Sequence, residues 1–414
     1  MWTRRNLLTG AGSLPVVWAT ANLAAPFISR TAIAQPSEVK VALVAPLSGP
    51  WARDGEFMRK GAQLAVDDIN QAGGVKALGG VHLKLIVADT GDSIEGAKNS
   101  AQRLVAQEPT LVGGSTGQVS AFALAITEVT ERAHLPWLTF AYADQFTKRG
   151  FKYIFKTSIP ASLIATDALS VILRLAKSAT GHEPSKIAII TDDTPAAQGA
   201  TKAFVSIIEK QKNMEIVVNE SFTPPISDAT PIVQRVRVRK PDLILLLPSA
   251  APDVVQFVNK FVEFKITTAK VALGNLIASP DMRNLIDAKL LDRQMTVVAN
   301  AVGKASLDVQ SRFAAKFGDP WMTEGAISSY GDMWVLKEAL ERARKADREA
   351  VAEAIRSFDM TDGPARYYIG GRLKFDATGQ RVGAGIVIVE WLDGSIKTVY
   401  PADAATAAPV WPKA

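Results

Sequence analysis

Near the start of the chain, the residues whose type and spacing suggest a chemical role are the glycines of SGPWARDGEFMRKG, a segment that follows an apolar run. A glycine-rich loop binds the phosphates of a dinucleotide when its glycines follow the pattern G-x-G-x-x-G directly after a strand. Here Gly49, Gly55 and Gly61 lie six residues apart. This spacing excludes the phosphate loop. We predict instead that the segment lines a cleft, with Trp51 as an apolar wall and Gly55 at the start of the first long helix.

Residues capable of acid–base, nucleophilic or metal chemistry are few. The sequence has no cysteine, and its three histidines, His82, His134 and His182, are far apart. No HExxH motif occurs. Asp192 and Asp193 follow an apolar run, a position where two acids cap the next helix or face a cleft as readily as they bind a metal. We therefore predict no catalytic residue, no metal site and no cofactor.

The N-terminal segment has the features of an export signal. Arg4 and Arg5 precede an uncharged stretch, residues 6–29, and Ala32 and Ala34 supply the small residues of a cleavage site. The paired arginines and a stretch diluted by glycine and proline predict a twin-arginine signal peptide over residues 1–34, cleaved after Ala34, and a periplasmic protein. The alternative is a membrane anchor, since 24 uncharged residues can span a bilayer.

The basic charge of the chain resides largely in this signal. The formal net charge is +6, and residues 1–34 contain three arginines and no acid, so that removal of the signal leaves +3. No basic stripe remains to indicate a nucleic-acid partner. Since the chain has no cysteine, a disulfide framework and a cysteine-ligated zinc site are also excluded.

Short apolar runs alternate with longer amphipathic stretches, which predicts an α/β fold. The run LILLLP beginning at Leu243 is apolar throughout, as expected for a strand of a parallel sheet with helices on both faces. We predict strands at Val39–Pro46, His82–Asp89, Leu111–Gly113, Leu135–Phe140, Tyr153–Thr157, Lys186–Asp192, Glu215–Asn219, Leu243–Leu247, Val271–Leu273 and Met295–Asn300. We predict helices at Gly55–Gln71, Ile94–Gln107, Ser120–Ala133, Ile164–Ser178, Ala197–Lys212, Ala251–Phe264, Met333–Lys345 and Arg348–Ser357.

The order of elements restarts in the middle of the chain. The strand Val39–Pro46, its loop and Gly55 are echoed by Lys186–Asp192, the loop TPAAQ and Gly199. Two sheets of similar build explain this better than one sheet of ten strands, and the length of 414 residues also favours two lobes. The last segment, with its ATGQ and DGS turns, predicts an antiparallel meander added to one lobe.

Several segments together resemble a known family. They are VALVAPLSGPWARDGEFMRKGAQLAVDDINQAGGV, HLPWLTFAYADQFTKRGFKYIFKTS, KIAIITDDTPAAQG, RLKFDATGQ and VIVEWLDG. In this order the chain resembles the periplasmic solute-binding proteins of ABC importers, in the branched-chain amino-acid (Leu/Ile/Val-binding) family, over essentially all of its mature length. The resemblance implies two doubly wound, Rossmann-like lobes joined by a three-stranded hinge, the type I periplasmic binding protein fold.

The resemblance also implies lobe boundaries. Lobe 1 corresponds to residues 36–157 plus 300–366, lobe 2 to 158–299 plus 367–402, and residues 403–414 to a C-terminal tail. The ligand is expected in the cleft between the lobes, at the carboxyl ends of the strands.

In the first lobe, the family's serine-rich loop for a ligand carboxylate corresponds to GGSTGQVSA, which places Ser120 or Ala121 at the ligand and Gln118 beside it. A second contact segment corresponds to TFAYAD, with Tyr142 and Ala143 at the ligand. Ser120 also has a purely structural alternative as the N-cap of the next helix, and both roles use the same helix start.

The second lobe departs from the family pattern. Ala196 and Ala250 stand where members often have tyrosine, and no acid occurs at Asn275 or Leu276, where an acid pairs with the ligand ammonium group. An enclosed ammonium without a counter-charge is strongly disfavoured. The pattern favours a bulkier or non-zwitterionic ligand, such as an aromatic or other organic carboxylate, or an amide. Asp193 remains an alternative ammonium partner, which keeps amino acids open.

The resemblance predicts a non-enzymatic binding protein, a monomer that captures a small organic solute and delivers it to the transmembrane subunits of an ABC permease. One alternative is a periplasmic sensor that passes the signal of ligand binding to a receptor. The other is an exported, cofactor-dependent enzyme, which the lack of a phosphate loop disfavours. At the mouth of the cleft, beside Asp54, Arg53 is predicted to be a solvated rim charge, with contact to a ligand carboxylate as the alternative.

Overall fold

Two separate sheets organise the chain in the computed structural model, which describes residues 38–412. The predicted signal peptide and its cleavage site lie outside the described residues. The first sheet has five parallel strands in the order β2-β1-β3-β4-β5. They are β1 (Glu38–Ala45), β2 (His82–Asp89), β3 (Gly114–Thr116), β4 (Trp137–Thr139) and β5 (Ile154–Lys156). We call the part of the chain built around this sheet the first lobe.

The second sheet has seven strands and forms the centre of the second lobe. Its strands are β6 (Lys186–Asp192), β7 (Glu215–Phe222), β8 (Leu243–Leu247), β9 (Ala269–Leu273), β10 (Met295–Val298), β13 (Val387–Leu392) and β14 (Ser395–Tyr400). Their order is β14-β13-β10-β9-β8-β6-β7. The pairs from β7 to β10 are parallel, whereas β13 and β14 are antiparallel. A small antiparallel pair joins β11 (Asp359–Met360) to β12 (Leu373–Lys374).

Helices cover both sheets, which explains why strands such as β8 are buried along their whole length. The helices are α1 (Ala52–Gln71), α2 (Ile94–Gln107), α3 (Ser120–Arg132), α4 (Ala161–Thr180), α5 (Pro195–Ile208), α6 (Thr230–Arg239), α7 (Ala251–Glu263), α8 (Met282–Leu285), α9 (Ala288–Leu291), α10 (Leu307–Phe317), α11 (Glu324–Ala343) and α12 (Arg348–Arg356). Within residues 38–412, no helix is both long enough and apolar enough to cross a membrane. The α/β fold class is confirmed.

Several predicted boundaries were wrong. The strand predicted at 111–113 lies at Gly114–Thr116, and the first long helix begins at Ala52 instead of Gly55. The first half of α11 was missed because EGAISSYGD is rich in glycine and serine, residues with low helix propensity. Burial explains why this half is nevertheless helical, since residues 324–333 are all buried between neighbouring elements.

The spaced glycines of α1 allow close packing. A Cβ added at Gly55 would lie 1.7 Å from the carbonyl oxygen of Pro46, and one added at Gly61 would lie 2.0 Å from that of Ala326 in α11. Both approaches exclude any side chain. The glycines therefore allow α1 to pack closely against the end of β1 and against α11, and they do not form a phosphate loop.

The chain passes between the lobes three times, as predicted. The first passage follows β5, the second follows β10, and the third lies between β12 and β13. Leu373 and Phe375 still pack in the core of the first lobe, whereas Ile386 packs in the core of the second. The division at 366/367 stays a prediction, as do the other lobe boundaries.

Arg381 joins the first and third passages. Its buried guanidinium donates to the carbonyl oxygens of Thr157 (2.7 Å), Ile369 (3.2 Å) and Arg372 (3.1 Å). The backbones of the two passages also pair directly, because Lys156 donates to Gly379 (2.8 Å) and Arg381 donates to Lys156 (2.9 Å). These bonds hold the two passages side by side.

The glycine contact between α1 and α11 generates a stability prediction. Gly61→Ala is expected to lower the free energy of unfolding by about 1–3 kcal/mol, because its Cβ would overlap the backbone of Ala326. Urea unfolding measures the change. Gly199→Ala in α5 is the control: its Cβ would lie 3.6 Å from that of Ala161, and loss of a helix-interior glycine stabilises by up to about 1 kcal/mol. Wild-type stability of Gly61→Ala would contradict the packing described.

Candidate functional site

A cavity of about 80 Å³ lies between the lobes. Its walls come from the loops that follow β3, β4, β6, β8 and β9, so that the carboxyl edges of both sheets face it. The lining residues are Gln118, Ser120, Phe140, Ala141, Tyr142, Ala161, Ile164, Ala196, Ala197, Ala200, Leu247, Pro248, Ser249, Leu273, Gly274, Asn275, Leu276 and Glu324. The cavity is mainly apolar with a few polar side chains, the composition typical of a small-molecule site.

Five of the ten predicted ligand residues line this cavity. They are Gln118, Ser120, Tyr142, Ala196 and Asn275. The structure therefore brings together residues from both lobes that the resemblance had placed at a ligand. Their contact with a ligand stays a prediction.

The other five predicted residues lie outside the lining. Ala143 and Ala250 are buried behind it, and Ala121 packs against the apolar core beside α3. Asp193 is exposed, and its carboxylate accepts a hydrogen bond from Thr223 Oγ1 at 2.5 Å.

Trp51, the predicted apolar wall, instead joins the two lobes. Its indole N–H donates to the carbonyl oxygen of Ser249 at 2.7 Å. Its ring meets that of Phe122 edge-on, with centroids 5.3 Å apart. The apolar cluster around it includes Ala250 of the second lobe. Trp51 thus supports the cavity residue Ser249 from behind.

The start of α3 faces the cavity at Ser120. The N-cap of this helix is Val119, and no side chain caps it, so the structural alternative in which Ser120 is the N-cap was wrong. The Ser120 hydroxyl accepts instead from the backbone N–H of Ala143 at 3.2 Å. The helix start and this hydroxyl offer hydrogen-bond donors to an anionic group in the cavity.

Gln118 and Asn275 bridge the cavity from opposite lobes. Each amide donates to the other, at 3.1 Å and 3.3 Å. Gln118 has a φ of 59°, a left-handed conformation that is uncommon outside glycine and concentrates at functional sites. The amide pair contributes two donors and two acceptors to one side of the cavity.

Glu324 is the acid that the sequence analysis missed. It lies at the first position of α11 and is buried in the cavity wall. Its carboxylate accepts hydrogen bonds from the Tyr142 hydroxyl and from the backbone N–H of Ala299, the latter at 3.0 Å. Burial raises the pKa of Glu324 to about 7. Thr323 followed by an acid is an N-terminal helix signal that could have identified the position, had the helix been predicted there.

Lys156 lies behind the same wall. Its buried ammonium donates to Ser158 Oγ (2.6 Å) and to the carbonyl oxygens of Ile159 (3.3 Å) and Ala141. Burial lowers the pKa of Lys156 to about 7, against the opposing effects of Asp144 and Glu324. Because Ala141 lines the cavity, this lysine fixes part of its wall without lining it.

The paired acids at the end of β6 have a local structural role. Asp192 is buried and accepts from the backbone N–H (3.0 Å) and the hydroxyl (2.5 Å) of Thr194. Across residues 38–412, no three histidine or acidic side chains come together as metal ligands would.

A cavity enclosed by two α/β lobes, lined by the carboxyl edges of both sheets, is the architecture of a two-lobed solute-binding protein. The profile of the family described as periplasmic binding protein matches residues 38–395, and the chain belongs to this family. The resemblance drawn from the sequence is confirmed. The family consists of solute-binding proteins, which confirms that the chain is not an enzyme.

Individual proteins are similar to the chain over most of its length. The "Leu/Ile/Val-binding protein homolog 8" of Brucella melitensis is 26% identical over 403 residues, covering 94% of this chain and 96% of the relative. The isoleucine complex of the substrate-binding protein LivJ of Streptococcus pneumoniae has a TM-score of 0.74 at 20% identity, covering 87% of this chain and 97% of that one. A solute-binding protein of Rhodopseudomonas palustris, in complex with 3,4-dihydroxy benzoic acid, has a TM-score of 0.72 at 22% identity, covering 90% and 99%.

The buried acid of the cavity generates a prediction on pH and stability. In the folded protein Glu324 stays protonated up to about pH 7, whereas in the unfolded chain it ionises near its ordinary pKa, about 4.3. Its contribution to the free energy of unfolding therefore falls between these pH values, by roughly 3 kcal/mol.

Glu324→Gln cannot ionise and escapes this loss. Its stability relative to the wild type is expected to rise between pH 4.5 and 7.5 in urea unfolding. Glu353→Gln, on the exposed face of α12, is expected to follow the wild type in parallel. Parallel curves for Glu324→Gln as well would contradict the burial of this carboxyl group.

Proposed function

We propose that the protein is the extracytoplasmic substrate-binding component of an ABC importer. It binds a small organic solute in the cavity between the lobes and delivers it to the transmembrane subunits of the permease. The observation that carries the proposal is the cavity itself, because its walls combine apolar side chains and polar groups from both lobes. A solute held there is enclosed when the lobes close on it.

The proposed ligand is a small organic carboxylate with an apolar body. The start of α3 and the Ser120 hydroxyl offer donors for the carboxylate. Ile164, Ala200, Leu247 and Leu273 form an apolar wall for the body. The small Ala196 leaves space that a tyrosine would fill.

Glu324 changes the expectation for amino acids. The sequence analysis found no acid to pair with an ammonium group, and the structure places this carboxyl group in the cavity wall. Amino acids and aromatic carboxylates are therefore both within the proposed class. The titrations described below distinguish them.

The proposal includes the location and state of the protein. We infer export to the periplasm by a twin-arginine signal over residues 1–34, cleavage after Ala34, and a monomeric mature protein. The lobes are proposed to comprise residues 36–157 plus 300–366 and residues 158–299 plus 367–402.

A ligand panel tests the proposed class by thermal shift. The panel contains L-leucine, L-isoleucine, L-phenylalanine, benzoate, 4-hydroxybenzoate and benzamide. A ligand present at 100 times its Kd is expected to stabilise the protein by about 2.7 kcal/mol, which raises the melting temperature. At least one carboxylate is expected to give this shift, and the neutral benzamide none.

Ala196→Trp is expected to abolish the shift, because the new side chain enters the cavity. Ser206→Trp, on the exposed side of the same helix, is the matched control and is expected to keep it. A shift that survives in Ala196→Trp would place the ligand elsewhere.

The pH dependence of affinity indicates which group of the ligand meets Glu324. An ammonium group requires the ionised carboxylate, so the association constant of L-isoleucine is expected to fall about tenfold per pH unit below 7. A carboxylate beside Glu324 favours the neutral form, so its association constant falls above pH 7. The groups facing Glu324 are the Tyr142 hydroxyl, the N–H of Ala299 and, behind the wall, the Lys156 ammonium.

Isothermal titration between pH 5.5 and 8.5 measures this slope. Glu324→Gln is expected to remove it for either ligand class. A slope that is unchanged in Glu324→Gln would assign the titration to another group.

A further inference from the structure

The segment Asp319–Glu324, which follows α10 and ends at the first residue of α11, contacts both lobes, and we call it the strap. Trp321 of the strap is buried in an apolar cluster of the second lobe. Its indole N–H donates to the carbonyl oxygen of Ala278 at 2.8 Å, and its ring meets that of Trp391 edge-on at 5.3 Å. The next residue, Met322, packs in the core of the first lobe. Two adjacent side chains are thus anchored in different lobes.

An ion cluster at the rim of the cleft extends the same connection. Asp319 accepts from Arg53 at 3.0 Å and from Lys60 at 2.5 Å, both on α1 of the first lobe. Arg53 also forms a bidentate pair with Asp281, which precedes α8 of the second lobe. Asp54, the other residue predicted at the mouth, is buried in α1. Arg53 is therefore an ion-paired rim residue that joins the two lobes.

The other end of the strap reaches the cavity. Glu324 lines the cavity and accepts from the N–H of Ala299, the first residue after β10. Six consecutive residues therefore contact the rim, the core of the second lobe, the solute cavity and the second passage between the lobes.

We propose that the strap, together with Arg53, holds the lobes closed and links closure to occupancy of the cavity. Opening of the cleft separates Arg53 from Asp281. It also requires the strap to lose one of its two anchors, Trp321 in the second lobe or Met322 in the first. Side chains of the Arg53–Asp281 pair are 45% and 29% exposed, so dissolved salt screens their attraction. Closure therefore weakens with ionic strength, even for an uncharged solute.

The chain offers a matched control for the ion pair. Arg59 lies on α1 six residues after Arg53 and pairs with Glu56 of the same helix at 2.6 Å. Its side chain is 37% exposed, close to the 45% of Arg53. Only the pair made by Arg53 crosses between the lobes, so that the two arginines differ in the property to be tested.

The experiment measures the distance between the lobes directly. The chain has no native cysteine, so Glu95→Cys in α2 and Lys202→Cys in α5, both exposed, introduce a single pair of spin labels. Pulsed electron paramagnetic resonance measures the distance between the labels. It gives the populations of closed and open molecules without added solute, from 20 mM to 1 M NaCl. The wild-type closed population is expected to fall as NaCl rises.

Arg53→Gln is expected to lower the ratio of closed to open molecules at 20 mM NaCl by about two- to fivefold, as for a surface ion pair, and to remove most of the salt dependence. Arg59→Gln is expected to behave as the wild type. Equal ratios in Arg53→Gln and the wild type would overturn the proposal, and so would a wild type that is open at every salt concentration.

A tryptophan pair tests the anchor. Trp321→Phe keeps most of the ring packing and loses the donor to Ala278, so the closed population is expected to fall. Trp334→Phe, in α11 within the first lobe, is expected to leave it unchanged. Thermal unfolding of both variants separates a local effect from loss of the fold. An unchanged closed population in Trp321→Phe would overturn the role of the anchor.

The inference rests on the proposed function only in that closure encloses the solute. The distance measurement needs no ligand, whereas the proposed function is tested by the ligand panel. If no ligand of the panel gives a shift but closure responds to Arg53→Gln, the role of the strap is supported and the proposed ligand class is contradicted. If a carboxylate gives a shift but closure does not respond to Arg53→Gln, the ligand class is supported and the role of the strap is contradicted.

Discussion

The contact of α1 with α11 determines where Arg53 and Glu324 lie. The two helices are separated by more than 250 residues of sequence, and they meet because Gly61 allows the backbone of Ala326 to approach. Gly325 contributes from the other side, since a Cβ there would lie 3.1 Å from Met58. This packing brings the start of each helix to the cleft, with Arg53 at the rim and Glu324 in the cavity wall.

The local parts of this architecture could be predicted from sequence. The strand Leu243–Leu247 is apolar throughout, and this composition predicts that it is buried. The alternation of strand and helix favours parallel sheets. The carboxyl edge of such sheets is a general binding position. The resemblance to a family placed Gln118, Ser120 and Asn275 at the ligand, but it did not supply their hydrogen-bond partners.

The parts that could not be predicted depend on contacts distant in sequence. Trp51 is a large apolar residue in a loop beside a cleft, which suits a cavity wall as well as an inter-lobe contact. Only the position of the Ser249 carbonyl decides between the two. Glu324 was missed for a similar reason, because its helix begins with small residues whose helical state depends on burial between other elements. An acid for the cavity was sought near Asn275 in the second lobe, and the structure supplies one from α11 of the first.

The arginine that joins the first and third passages has a consequence for how this protein moves. Because Arg381 and the backbone hydrogen bonds around it join those two chain segments, we expect them to bend together as one unit of the hinge. The second passage is connected to this unit through Asn300, whose amide oxygen accepts from the N–H of Ile369 at 3.2 Å. Its residue Ala299 is held by Glu324 and, at 3.2 Å, by the Tyr142 hydroxyl, and both side chains line the cavity. A solute in the cavity would therefore meet side chains that hold the second passage, so that occupancy of the cleft would act on the hinge itself.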